Sequence, residues 1–327
     1  MTTRDNILAY LKNAKGDWVS GEYLSAGLSV SRSAVWKHIR KLTEEGYLIK
    51  SSHGKGYMLE KASDMLLPEE IREGLTTRIL GKKEIHHLKE TVSTNTTAKQ
   101  LAAGGAPEGT LVISEMQTGG KGRLGRNWFS PSGEGIYISF ILRPAVSPAE
   151  APKITLMTAV AMAEALNSGP GLHVSIKWPN DILLGGKKLA GILTEISTEM
   201  DAVDYVIIGV GLNVNTASFP PDLKETATSL LLETGRLHSR SSLTKEFMKW
   251  FEEYYELFQR ADFKPILNRW RQFSHIGGRR IKVETIGGMT SGTALDIDGD
   301  GFLMVEDDDG HIQKIYSGDI TMNGDKV

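Results

Sequence analysis

The run QTGGKGRLGRNW, residues 117 to 128, carries Lys121, Arg123 and Arg126, and no acidic residue occurs from Gln117 to Pro131. Its GKGRLG core has the spacing G-x-G-x-x-G, which marks a dinucleotide site only where a strand precedes it and a helix begins within it. Upstream, TLVISEMQ alternates as a strand; downstream, RNWFSPSGEGIYISF holds Pro131, Gly133 and Gly135 and leads into a second strand. The run is therefore a loop between two strands. Its backbone N–H groups and guanidinium forks suit a phosphate or a carboxylate, and the competing reading is a solvated basic loop.

Further polar groups fall at strand ends and helix starts: Ser93-Thr94-Asn95, Gln117, KWPND (177 to 181) and KKLAG (187 to 191). Pro179 turns the chain and presents Asn180 and Asp181 at a sheet edge. Lys187 and Lys188 are neighbours on a strand, so only one of them can enter a site. Serine and threonine at a helix start are ordinarily caps, and that is the plain reading of 93 and 94.

The elements that must position these groups alternate. STNTTAKQLAAGG reads as a helix ended by Gly104, and GIYISFIL, LHVSIKW, DILL, KLAGILTEI and YVIIGVGLNV read as strands, with a Gly185-Gly186 turn between the third and fourth. EAPKITLMTAVAMAEALN is an apolar helix to pack on that sheet. LTKEFMKWFEEYYELFQR places Leu243, Phe247, Phe251, Tyr254 and Phe258 on one face, a core stripe rather than a cofactor box. From Ile281 onward short strands separated by glycine and aspartate turns describe a small β-barrel of the SH3 type. Within it DIDGDGFLMVED imitates a calcium loop through Asp296, Asp298, Asp300 and Asp307, but its flanks are strands, so a hairpin turn explains it better.

The first 62 residues hold ten Lys/Arg against six Asp/Glu, whereas the whole chain of 327 residues has a formal net charge of −2. This segment reads as three helices and a hairpin: Ile7, Leu8 and Leu11 on the first, Ser20 capping the second, and Val35, Ile39 and Leu42 on a third that starts at Ser31. Two short helices joined by a tight turn, the second basic, form the arrangement that enters a DNA major groove. Ser31, Arg32, Ser33, Lys37, His38 and Lys41 are its candidate DNA contacts, with Lys55 at the Gly-Lys-Gly tip of the hairpin wing; a solvated charged face is the alternative. Residues 63 to 83 read as a linker and a short helix starting at Pro68.

Cysteine is absent, which removes disulfides, thiolate metal sites and cysteine nucleophiles and agrees with a cytoplasmic protein. No run approaches the roughly 18 apolar residues that cross a bilayer, so no membrane partner is expected. The histidines form no metal-binding pair, and no resident metal site is inferred.

In order, SRSAVWKHI, GKGY, STN, QTGGKGRLGR, KWPND, KLAG and IGVGLNVN resemble the motifs of the bifunctional biotin protein ligases that also act as biotin operon repressors. The resemblance covers essentially the whole chain. It implies an α+β multidomain protein: a winged helix-turn-helix (1–62), a biotin/lipoate ligase-like catalytic domain with a central mixed β-sheet (63–274) and an SH3-like C-terminal barrel (275–327). The implied reaction joins biotin to ATP, with Mg²⁺, to form biotinyl-5′-AMP, then passes the biotinyl group to a lysine of a biotin carboxyl carrier protein, a domain of acetyl-CoA carboxylase or pyruvate carboxylase. The adenylate doubles as corepressor, and the adenylate-bound protein is expected to pair as a homodimer on operator DNA.

By the same resemblance, biotin and adenylate contacts fall on Ser93, Thr94, Asn95, Gln117, Lys121, Gly122, Arg123 and Lys188, with Arg126, Trp128, Asn180 and Asn213 on the nucleotide side. Arg123 and Lys188 are the expected catalytic pair, because a carboxylate attacking a phosphate needs both anions neutralised. The family's loop reads GRGRRGR, and Lys121 and Leu124 replace two of its arginines here, losing one bidentate fork at 121. A ligand-responsive transcription factor without ligase activity and a lipoate-type ligase are the alternatives.

Overall fold

The computed structural model describes residues 2–169, 171–199, 202–285 and 287–322. Contacts divide the chain into two compact units, Met1–Glu73 and Gly74–Val327.

In the first unit α1 (Thr3–Asn13), α2 (Gly21–Leu28) and α3 (Arg32–Glu44) are followed by an antiparallel hairpin of β1 (Leu48–Ser52) and β2 (Gly56–Lys61). Each helix begins on a hydroxyl: Thr2 in a capping box, Ser20 accepting from Tyr23 N, and Ser31 accepting from Ala34 N. Ser29 takes the left-handed conformation (φ 54°) that turns α2 into α3. Ile7, Leu8, Leu11, Leu24, Val35, Ile39 and Leu42 close the core, leaving Lys37 and Lys41 of α3 on the open face. The short helix α4 (Pro68–Arg72) belongs to this unit: Ile71 is buried, and Glu70 accepts from Tyr47 and from Lys12 at 2.6 Å.

The second unit is built on a seven-stranded mixed sheet in the order β3-β4-β5-β9-β8-β7-β6. Its strands are β3 (Ile85–Leu88), β4 (Leu111–Ser114), β5 (Gly135–Leu142), β6 (Ser175–Lys177), β7 (Asp181–Leu184), β8 (Lys187–Glu199) and β9 (Ala202–Asn213). Only β3 and β4 run parallel, joined through α5 (Thr94–Ala103); the other pairs are antiparallel. All four residues of β4 and all eight of β5 are buried, because helices and loops cover both faces at the middle of the sheet. The segment expected to be a strand from 172 to 178 is one only over β6.

Behind the sheet lie α6 (Ala151–Asn167), α8 (Arg240–Gln259) and α9 (Lys264–Phe273), while α7 (Leu230–Thr234) sits past the end of β9, where Leu231 N donates to Val214 O (2.9 Å). The aromatic stripe of α8 is core: Phe251 meets Phe140 of β5 edge-on at 4.7 Å between ring centroids. No helix among the described residues is long and apolar enough to cross a membrane.

The C-terminal strands are β10 (Arg280–Thr285), β11 (Gly288–Ile297), β12 (Leu303–Glu306), β13 (Ile312–Ile315) and β14 (Asp319–Met322), all antiparallel. They form one five-stranded sheet in the order β13-β12-β11-β10-β14. β13 and β14 are its outer strands, and no ladder between them closes a barrel among the described residues. The calcium-like run is a turn, as its flanking strands require: Asp298 Oδ1 accepts from the N–H groups of Asp300 and Phe302, both at 2.9 Å. The β11–β12 turn docks on the mixed-sheet body through Trp178 Nε1, which donates to Gly301 O (3.1 Å), and through Lys153 and Asp300 at 3.1 Å.

Candidate active site

One cavity of about 710 Å³ opens over the end of the mixed sheet where β8 and β9 carry glycines, a size suited to a small-molecule pair. Ser93, Thr94, Asn95, Gln117, Lys121, Gly122, Arg123, Arg126, Trp128, Asn180, Lys188 and Asn213 all line it. Within this set the geometry separates groups that face a ligand from groups that brace the wall.

The glycine-rich loop is a closed hairpin. Gly122 N donates to Arg126 O (2.7 Å) and Trp128 N to Gly120 O (2.9 Å), so the tip Arg123–Gly125 is held out as a single 3-10 turn. Leu124 at that tip has φ 55°, a left-handed conformation in which a non-glycine residue is strained. Arg123 Nη1 donates to Asn180 Oδ1 (3.1 Å) and to Gly318 O (3.2 Å), while Arg126 Nη2 sits 2.5 Å from Asp319 Oδ2. The C-terminal sheet therefore contributes Asp319 to this wall. Sequence reasoning missed it, since nothing around SGDIT suggests a ligand site.

Lys188 is the lysine of the pair that enters. Its ammonium lies 2.8 Å from Asp181 Oδ1 and 5.4 Å from the Trp128 ring centroid, whereas Lys187 reaches Lys224 O at 3.3 Å. On the side away from β7 the backbone of residue 188 is clamped by Thr226 O and Thr228 N, which fixes the strand that carries the side chain. Lys188 thus meets the cavity with a neutralising neighbour and a rigid base.

The indole of Trp128 lies on paired glycines: a Cβ at Gly211 would come within 2.4 Å of the ring, and one at Gly191 within 3.0 Å. Any side chain at 211 would evict the ring. Trp128 Nε1 is buried with no hydrogen-bond partner among the described residues, and the flat ring offers a surface for a planar heterocycle.

The asparagines are braces. Asn180 donates to Ile192 O (2.9 Å) while receiving Arg123, Asn213 donates to Thr228 O (3.0 Å), and Asn95 donates to the Glu195 carboxylate (2.7 Å). Gln117 is partly occupied too: its Oε1 accepts from Thr94 N (2.9 Å) and its Nε2 donates to Ser130 Oγ (2.9 Å). Ser93, by contrast, occupies the N-cap position of α5, but its hydroxyl makes no capping bond and faces the cavity. Beneath β4, Glu115 joins His87 at 2.9 Å to the buried Arg240 at 2.8 Å. Tyr137 donates to Pro131 O (3.0 Å); burial, aided by Glu134, raises its pKa and keeps it a neutral donor.

Away from the cavity, Asp307, Asp309 and His311 cluster in a β-turn. Asp307 Oδ1 accepts the N–H groups of Asp309 and His311, so turn chemistry accounts for their proximity. The candidate DNA residues are arranged on the first unit as follows: Ser31 caps α3 and lies 2.9 Å from Ser33 Oγ, Arg32 pairs with Glu22 at 2.9 Å, Lys37 and Lys41 are exposed, His38 is half-buried, and Lys55 tips the wing over Trp18.

Residues 88–213 match the model of the Biotin/lipoate A/B protein ligase family, residues 3–58 an HTH domain, and residues 276–322 the Biotin protein ligase C terminal domain. The chain is 41% identical to the Bifunctional ligase/repressor BirA of Bacillus subtilis (strain 168), over 98% of this chain and 99% of that protein. It is 31% identical to the protein of the same name from Escherichia coli (strain K12), over 97% and 96%. The solved biotin protein ligase from Aquifex aeolicus in complex with biotin and ATP superposes with a TM-score of 0.64 at 29% identity, covering 73% of this chain and 98% of that one. With the loop, the lysine and the glycine floor gathered on one cavity and the relatives matched end to end, this chain belongs to the family of bifunctional biotin ligase/repressors.

Proposed function

We propose that the protein activates biotin with ATP to biotinyl-5′-AMP, transfers the biotinyl group to a lysine of a biotin carboxyl carrier protein, and represses transcription with the adenylate as corepressor. The supporting observation is that Arg123 and Lys188, from distant parts of the chain, line the same cavity as a planar indole platform and a set of hydroxyls. The substrate carboxylate is itself the nucleophile, so no enzyme nucleophile is needed. Lys188 and Arg123 neutralise the carboxylate and the α-phosphate as they meet, and hold the charge that gathers on the phosphorus oxygens. Trp128 takes the adenine face, while Ser93, Thr94 and Gln117 take the ureido ring. Mg²⁺ would be held chiefly by the phosphate oxygens of ATP and would help neutralise them, with Asp181, 2.8 Å from Lys188, the carboxylate placed to assist. Loss of pyrophosphate completes adenylation; the carrier lysine then attacks the acyl carbon and AMP leaves.

We assign residues 63–274 to catalysis, the C-terminal segment 275–327 to an SH3-like fold, and residues 1–62 to operator recognition, with homodimerisation following adenylate binding in the cytoplasm. Carrier domains of acetyl-CoA carboxylase or pyruvate carboxylase are the acceptors. The direct test incubates purified protein with biotin, Mg-ATP and a biotin-acceptor domain and measures its labelling by mass. Biotin-dependent pyrophosphate exchange supports the ligase, exchange with lipoate alone redirects it to the lipoate class, and no exchange with either leaves a ligand-responsive transcription factor.

A further inference from the structure

Resting on the biotin reading above, we infer that a chain of hydrogen bonds from Lys99 to Thr94, buried from Asn95 inward, sets the direction of the Thr94 hydroxyl, so that it faces the cavity only as an acceptor and selects a ligand N–H. Glu195 anchors the chain. Its Oε1 lies 2.5 Å from Lys99 Nζ and its Oε2 receives Asn95 Nδ2 at 2.7 Å. A carboxylate accepts and cannot donate, so the Asn95 amide must turn its NH₂ toward β8 and its oxygen inward. That oxygen meets Ser139 Oγ at 2.6 Å, and Ser139 is wholly buried on β5.

Ser139 has one proton and gives it to Asn95 Oδ1, which can only accept. Thr94 Oγ1 is 2.7 Å from Ser139 Oγ. Ser139 Oγ is aligned to donate to either neighbour, but its single proton serves Asn95 Oδ1, the shorter contact, so the 2.7 Å gap is filled by the proton of Thr94. Gln117 Oε1, 3.2 Å from Thr94 Oγ1, is the weaker claimant and already accepts the Thr94 N–H. What Thr94 presents to the cavity is lone pairs. Asn95, Ser139 and Glu195 are thus positioning residues: none need touch the ligand, yet together they make the wall complementary to the N–H of a cyclic urea and hostile to a ring oxygen in its place.

Glu195→Gln tests the relay because it is nearly isosteric and reverses the polarity. With its Oε1 kept toward Lys99, the new amide donates to Asn95, Asn95 flips, Ser139 receives from Asn95 and donates to Thr94, and the Thr94 proton is freed toward the cavity. Ser139→Ala breaks the chain and lets Thr94 rotate. Calorimetric Kd values are measured for biotin and for the two cyclic-carbamate analogues in which a ring oxygen replaces one or the other ureido N–H. Wild type should bind biotin about 100 to 1,000-fold more tightly than the analogue that sets its oxygen against Thr94. The ratio should fall to about tenfold or less in both variants. The ratio is the measure, since a merely structural defect weakens both ligands alike. Biotin binding with a wild-type ratio retained in both folded variants overturns the relay alone; a wild-type protein that binds none of the three compounds overturns the biotin reading and the relay with it.

Discussion

Asp319, the first residue of β14, holds Arg126 of the glycine-rich loop at 2.5 Å and stands 3.6 Å from Arg123. A strand at the far end of the chain thereby fixes two guanidiniums that line the cavity. Each guanidinium has five N–H donors, and the contacts to Asp319, Gly318 and Asn180 use only part of them. Under the proposed function the rest serve the anionic substrates from a framework already ordered.

Asp319→Asn therefore loosens the arginines rather than removing them. The KM for ATP should rise about tenfold while the KM for biotin moves less than about threefold, in keeping with a partly screened contact. Steady-state pyrophosphate release at varied ATP and at varied biotin checks this. An unchanged or lower KM for ATP would show that the carboxylate does not organise the loop.

The two lysines of KKLAG should separate cleanly. Lys188→Ala should cut adenylation about 100 to 1,000-fold, as expected for loss of a charge at the reacting phosphate. Lys187→Ala, whose ammonium rests on a carbonyl outside the cavity, should stay within about twofold. Single-turnover adenylate formation measures both. Lys188→Ala also leaves Asp181 without its cation, so a thermal melt must accompany it to show that the fold is intact.

Gly211→Ala should displace the Trp128 indole, since the added methyl would lie 2.4 Å from the ring. A loss of about tenfold or more in kcat/KM for ATP is expected. Adding Trp128→Phe, a smaller ring, should recover part of it. Crystallographic or fluorescence evidence that the indole stays in place in Gly211→Ala would refute the platform.

On the N-terminal unit, Lys37→Ala and Lys55→Ala should each weaken operator binding and lower the slope of log affinity against log salt by about 0.9, the signature of one lost phosphate contact. Ser31→Ala should act differently: its hydroxyl caps α3, so it costs about 1 kcal/mol of stability and affects binding through the helix. Gel shifts at several salt concentrations with a denaturation curve for each variant tell the two effects apart.

Periodicity and turn chemistry alone located the helix starts at Ser20 and Ser31, the apolar stripes of α1 and α3, the two-stranded wing, the central strands and the glycine hairpin at 185–186, because these depend on neighbours three or four positions away. The order of the short motifs was enough to name the family and part of the cavity lining, from Ser93 and Gln117 to Lys188 and Asn213. What local pattern does not encode is which atoms end up facing one another. That Lys188 rather than Lys187 enters depends on the strand register and on the clamp at 226–228. That Asn95, Asn180 and Asn213 brace the wall depends on carbonyls and a carboxylate on other strands. The contribution of Asp319 arises where the C-terminal sheet meets the loop, and the barrel expected of that sheet would need a pairing between its outer strands that none of the described residues makes. Sequence states which chemistry is present; the direction of each donor and acceptor is decided by long-range packing, since a hydroxyl or an amide turns to suit whatever the fold sets beside it.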